Sequence, residues 1–111
     1  MKPSIFLSAL FFLCVIAPAP AAKKDPAASH QVAIKGMKFD PAQIEIAVGD
    51  TVVWKNADDR DHTVVAKDNS FKSGNLSKGD KFEQTFTKAG KYSYACSYHP
   101  RMKGVVIVGG G

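Results

Sequence analysis

From His30 onward the chain alternates apolar and polar residues in short runs, the signature of half-buried β-strands. Gln31-Val-Ala-Ile-Lys35 alternates, and so does Gln43-Ile-Glu-Ile-Ala-Val48, which places Ile44, Ile46 and Val48 on one face. Gly49-Asp50 has the composition of a tight hairpin turn leading into Thr51-Val-Val-Trp-Lys55. His62-Thr-Val-Val-Ala66 is a further strand, anchored by Val64 and Val65. Lys67 to Gly79 carries Asp, Asn, Ser and Gly and is predicted irregular. Lys81 to Thr87 alternates with Phe82 and Phe86 inward, and Ala89-Gly90 turns into a strand over Lys91 to Cys96. Val105 to Val108 closes the series. Trp54, Tyr92 and Tyr94 join the two phenylalanines as core or near-core residues. Helical periodicity is missing after the N-terminal apolar run. About seven to eight short strands at this spacing predict an all-β sandwich.

The first residues have a different pattern. Met1-Lys2 is a short positive start, and Ile5 to Ile16 is apolar but too short for a stable membrane anchor. The small-residue segment Ala17 to Ala22 follows, with Ala19-Pro20-Ala21 fitting a small-x-small cleavage site. Residues 1–21 are therefore expected to be a secretory signal peptide, with Cys14 discarded along with it. Residues 22–29 are a flexible leader, 30–108 one domain, and 109–111 a frayed tail. Export places the mature chain in the periplasm, with no stable membrane insertion. About 90 residues suffice for one modest core. The net charge of +5 falls by one when Lys2 leaves, and the basic residues are scattered. Scattered charge of this kind argues against nucleic-acid binding and favours an acidic protein partner.

Cleavage leaves a single cysteine, Cys96, which excludes an internal disulfide. It opens the heptapeptide Cys96-Ser97-Tyr98-His99-Pro100-Arg101-Met102. A thiol, an imidazole and a thioether recur there at every third position. Thiolate and imidazole form a strong transition-metal donor set, and the thioether is a soft, weak donor suited to copper. His₂Cys with a long axial Met describes a blue-copper electron-transfer site. His62 follows the polar loop Asn56 to Asp61 at the start of an apolar strand, so it is the candidate second imidazole. His30 lies at the leader junction and is predicted to be a solvated residue.

These residues resemble a known family. Gly36-Met-Lys-Phe-Asp-Pro41, Ile44-x-Ile-x-Val-Gly-Asp-Thr-Val-x-Trp54-x-Asn56 and His62-Thr-Val are similar to the N-terminal half of the cupredoxins of plastocyanin and amicyanin type. Gly90-x-Tyr-x-Tyr-x-Cys96-x-x-His99-Pro-x-Met102-x-Gly104 is similar to their C-terminal half. The resemblance implies a Greek-key sandwich and one type 1 copper cycling between Cu(I) and Cu(II). It implies His62, Cys96, His99 and Met102 as metal ligands, and a Thr63 N–H donated to the Cys96 sulfur. It also implies that His99 is the electron port, bordered by Pro100 and Met102, with Met37 and Phe39 as candidates for an apolar patch. Two residues between His99 and Met102 match the short amicyanin-type loop. Two departures stand out: Tyr98 where amicyanin usually has Pro, and Arg101 where an apolar residue is common. Arg101 and Lys103 put positive charge beside the port.

The function this implies is a soluble, exported, monomeric electron carrier and not an enzyme. Its partners would be redox proteins, such as a c-type cytochrome or a periplasmic dehydrogenase. Non-redox copper scavenging or delivery is the alternative. A multicopper oxidase or nitrite reductase needs further histidines, and only His30 is spare. Structural zinc prefers four strong ligands, and a Cys–His nucleophile lacks an orienting third group. Asn56 is expected to be structural.

Overall fold

The computed structural model describes residues 27–109, so the proposed export signal lies outside the described residues. Eight strands run in order: β1 (Ser29–Lys35), β2 (Lys38–Asp40), β3 (Gln43–Ala47), β4 (Thr51–Asn56), β5 (Val65–Ala66), β6 (Lys81–Thr85), β7 (Gly90–Ala95) and β8 (Lys103–Gly109). They form two four-stranded sheets, β2-β1-β4-β6 and β3-β8-β7-β5. The all-β sandwich is therefore observed. Alternation is the cause: in β8 the buried residues are Gly104, Val106 and Val108, while Val105 and Ile107 face outward and stay partly exposed. Each sheet buries one such face against the other.

Trp54 is the centre of the core and fully buried. Its ring lies 5.3 Å from that of Tyr94, edge-on, and 5.7 Å from those of Phe71 and Phe82. Phe39 packs edge-on to Tyr94 at 4.8 Å, so it belongs to the core and not to a surface patch. Phe86 is buried, while Phe82 and Tyr92 are partly buried against the same cluster.

Several expectations are corrected. Gly49-Asp50 does not close a hairpin, because β3 pairs with β8 and β4 pairs with β1 and β6. The turn is a corner at which the chain changes sheets, and Val48, sitting on that corner, is 43% exposed instead of facing the core. The strand expected over His62 to Ala66 shrinks to Val65–Ala66, and His62 makes an isolated bridge to Leu76. A short strand, β2, was not anticipated. Two boundaries move: Ser29 already belongs to β1, and Gly109 pairs with Ala47 at the end of β8.

Asp50 holds the corner. Its carboxylate accepts the N–H groups of Ala28 and Ala47, each at 3.0 Å, and meets His30 Nε2 at 2.9 Å. His30 is thus a bonded residue and not merely a solvated one. The His30 contact first, then the two N–H groups, lower the Asp50 pKa from 3.8 to about 2. A carboxyl with a depressed folded-state pKa stabilises the fold above its unfolded value, and that contribution is lost as the pH falls through the folded value. Stability is therefore expected to drop between about pH 4 and pH 2. Urea unfolding of metal-free protein checks this, because Asp50→Asn should flatten that part of the pH profile.

Candidate metal centre

The site lies at one end of the sandwich, where β4 gives way to the loop carrying His62 and where the 96–102 loop joins β7 to β8. The fold brings together three of the four residues predicted to bind metal. The donor atoms of His62, Cys96 and His99 all lie within 4.8 Å of one another. His62 and Cys96 are buried and His99 is half-buried. Both imidazoles turn Nδ1 toward the sulfur, at 3.7 Å for His62 and 3.9 Å for His99. Met102 is buried at the foot of the same loop, where its C=O accepts the Cys96 N–H at 3.1 Å and its N–H donates to His99 O at 2.8 Å.

Each part of the cluster has a local cause. Asn56, fully buried at the end of β4, donates from Nδ2 to the carbonyls of Arg60 and Leu76 and accepts the Asp58 N–H. This confirms its structural role and curls the loop back toward the core. His62 exchanges both backbone hydrogen bonds with Leu76, at 2.8 and 3.0 Å. Thr63 N–H donates to Cys96 Sγ at 3.4 Å, as the resemblance implied. Thr63 Oγ1 accepts the Ser97 N–H at 2.7 Å, tying the segments that carry His62 and Cys96 together.

Asp58 was not singled out in the sequence. Its carboxylate accepts the Gly36 N–H at 2.7 Å and the Met37 N–H at 3.1 Å, and meets His62 Nε2 at 2.8 Å. Burial raises its pKa, but the Gly36 and Met37 N–H groups and His62 together hold it below the usual carboxylate range. An ionised carboxylate only accepts hydrogen bonds, so Nε2 of His62 carries the proton. The other ring nitrogen, Nδ1, faces Cys96 Sγ at 3.7 Å. A signal was available, since Asp58 stands four residues before His62. The Gly36 and Met37 amides sit in a two-residue turn with φ of 63° and 62°, the left-handed pair that a type I′ hairpin requires. Met37 is unusual at such an angle, and the turn sets its half-exposed side chain against the loop.

The thiol is prepared for a metal. Burial pushes its pKa up, but the Thr63 N–H, His62, His99 and the Tyr98 N–H outweigh that and bring it from 9.0 down to about 6. The Tyr98 N–H is the smallest of these contributions. A buried sulfur with the Nδ1 atoms of two imidazoles turned toward it suits a soft transition metal and in particular copper. Outside the cluster, Met37, Tyr98, His99, Pro100, Arg101 and Met102 line a shallow cleft, so Met37 belongs to the rim.

A sandwich of this topology with a Cys–His₂ cluster at one end defines a small metalloprotein of the cupredoxin class. The cupredoxin-like domain family matches residues 4–108. Amicyanin of Paracoccus versutus is 32% identical over 125 aligned residues, covering 97% of this chain and 95% of that protein. A purple cupredoxin from Nitrosopumilus maritimus has a TM-score of 0.68 at 34% identity, covering 72% of this chain and 99% of its own. A copper-containing nitrite reductase from Thermus scotoductus SA-01 also gives 0.68 at 34% identity, with 87% of this chain matched to 25% of that chain. The chain belongs to the cupredoxin family and is of its amicyanin type. It is a copper protein of electron transport whose cofactor is one type 1 copper ion.

Proposed function

We propose that this chain is a soluble exported electron carrier that binds its copper through His62 Nδ1, Cys96 Sγ, His99 Nδ1 and Met102 and passes single electrons between redox proteins. The convergence of both Nδ1 atoms on the Cys96 sulfur carries this reading. When bound, copper supplies a one-electron Cu(I)/Cu(II) couple. The chain's own residues hold the donors in place: Asp58 fixes the His62 ring, Thr63 orients the thiolate, and the hydrogen bond between Met102 N–H and His99 O closes the loop. Holding the donors fixed limits rearrangement between the two oxidation states.

The half-buried His99 borders the cleft and is the proposed port, with Arg101 and Lys103 exposed beside it. Their charge favours an acidic partner and salt-sensitive association. A c-type cytochrome or a periplasmic dehydrogenase fits that description. Residues 1–21 are proposed as the cleaved export signal, and among the described residues no helix is long and apolar enough to cross a membrane. An enzymatic role is not proposed. Among the described residues the His62–Cys96–His99 group is the one cluster of its kind, and His30 is engaged with Asp50 beside the start of β4, away from the end that leads to His62.

Copper-loaded protein tests the reading. An intense absorption at about 600 nm with reversible voltammetry is expected, whereas copper uptake without either would favour scavenging or delivery. Tyr98 adds a finer expectation. A backbone N–H turned toward a thiolate withdraws electron density and favours the reduced metal, and proline has no N–H. Tyr98→Pro is therefore expected to lower the reduction potential in voltammetry. An unchanged or higher value would remove the tuning role.

A further inference from the structure

Side-chain hydrogen bonds attach the 96–102 loop to the rest of the site at two places. On the cysteine side of the loop, Thr63 bonds both Cys96 Sγ and Ser97. On the histidine side, the Tyr98 hydroxyl donates to Asn75 Oδ1 at 2.6 Å. Asn75 in turn donates from Nδ2 to Asp61 Oδ2 at 3.2 Å, which reaches the loop just before His62. Asn75 also directly precedes Leu76, whose N–H and C=O both bond the backbone of His62. A continuous path therefore runs from Tyr98 through Asn75 and Leu76 to His62.

We propose that the Tyr98–Asn75 hydrogen bond is a latch that sets the position of His99 relative to His62. The Tyr98 hydroxyl bonds Asn75 and none of the donor atoms, so Tyr98 acts as a positioning residue. The need for a latch follows from the loop itself. From Tyr98 to Arg101 the chain is outside any strand. Its backbone bonds, His99 N–H to Cys96 O at 3.3 Å and Met102 N–H to His99 O at 2.8 Å, are internal to the loop. Internal bonds preserve the loop's shape but not its placement on the sandwich. Among the described residues, the Tyr98 hydroxyl makes the one side-chain hydrogen bond from residues 98–102 to another segment. Tyr98 is 51% exposed, so the hydroxyl could bond water just as readily. Its engagement with Asn75 instead gains two loops held in register at the metal site. The link to copper rests on the function proposed above, while the latch itself belongs to the metal-free chain.

The experiment separates the two. Hydrogen exchange is measured at the His99 and Met102 amides of metal-free wild type, Tyr98→Phe, Asn75→Ala and the double variant. Tyr98→Phe keeps the backbone N–H and the ring, so it isolates the hydroxyl from the effect tested by Tyr98→Pro. Each single substitution is expected to quicken exchange roughly three- to tenfold, the size that one net hydrogen bond supports. The double variant is expected to be no faster than the faster single one, because both remove the same interaction. Unchanged exchange, or effects that multiply in the double variant, would overturn the latch. Transfer of Cu(I) from reduced, loaded protein to a chelator is then compared for the same variants and is expected to quicken by a similar factor. Faster exchange with unchanged copper transfer would uphold the latch and overturn the assignment of residues 96–102 as the copper-holding loop.

Discussion

Cys96→Ser is expected to abolish the intense visible band at about 600 nm outright and to leave copper weakly held. The band depends on a bond between copper and a thiolate, and a serine hydroxyl offers neither the soft sulfur nor the negative charge. Against the upward push of burial, the Thr63 N–H, His62 and His99 bring the Cys96 thiol down to about 6, toward the thiolate form that a metal requires. A serine alcohol stays protonated at every accessible pH. Loss of even an outer hydrogen-bond partner costs a metal site roughly 10- to 100-fold in affinity, and loss of the thiolate itself is expected to exceed that. The fold should survive. Serine is nearly isosteric at this buried position and its oxygen can accept the Thr63 N–H, so the metal-free variant should lose only about 1 kcal/mol in urea unfolding. Met102→Leu provides the contrast. It removes a weak donor at nearly constant volume, so the band is expected to remain with an altered position. A blue Cys96→Ser protein, or a colourless Met102→Leu one, would invert the proposed ranking of the ligands.

The legibility of the site in the sequence follows from how local each feature is. Cys96, His99 and Met102 fall within seven residues, and their donor types name the chemistry before any fold is known. His62 could be paired with them because a polar loop and an apolar strand flank it. Asp58 is not distinguishable in the sequence because Asp59 and Asp61 share its loop and look alike there. Only the fold shows that Asp58 reaches both the Gly36–Met37 turn and His62. Tyr98 was recognised as a departure, but its partner Asn75 lies 23 residues away in a stretch with no periodicity to read.

The same distinction holds for the fold. Alternation marks most of the strands, because burial on one face is a property of each segment alone. It does not say which sheet a strand joins. Gly49-Asp50 has hairpin composition, yet the chain turns a corner there because Asp50 is bonded to Ala28 and His30, 22 and 20 residues away. β2 leaves no readable alternation because Lys38–Asp40 is three residues long and stops before Pro41. The strand expected at His62 is shortened because His62 is bridged to Leu76 instead of joining a sheet. At Gly49-Asp50 and at His62, a contact distant in sequence overrode a local signal.

Gly104→Ala is expected to be the most damaging single-methyl change in the domain. Gly104 is buried in β8 directly opposite Tyr94 in β7. A Cβ on residue 104 would lie 2.2 Å from both Cζ and Oη of Tyr94, well inside van der Waals contact. The ring cannot swing aside easily, since Phe39 meets it edge-on at 4.8 Å and Trp54 at 5.3 Å. Either the aromatic cluster repacks or β7 and β8 move apart. Overpacking of a rigid core costs typically 1–3 kcal/mol, and a clash this close argues for roughly 3 kcal/mol. For a domain of this size that lowers the Tm by roughly 12–24 °C. Calorimetry of the metal-free variant measures it, and a Tm within a few degrees of wild type would show that the tyrosine is not confined. Tyr94→Leu in the same chain shortens the obstructing side chain and should recover part of the loss, as expected for two residues in direct contact. The consequence reaches the copper as well. β7 and β8 are the two strands that the 96–102 loop joins, so prising them apart displaces Cys96 relative to Met102. Copper-loaded Gly104→Ala is therefore expected to show a shifted or weakened visible band in addition to its lower melting temperature.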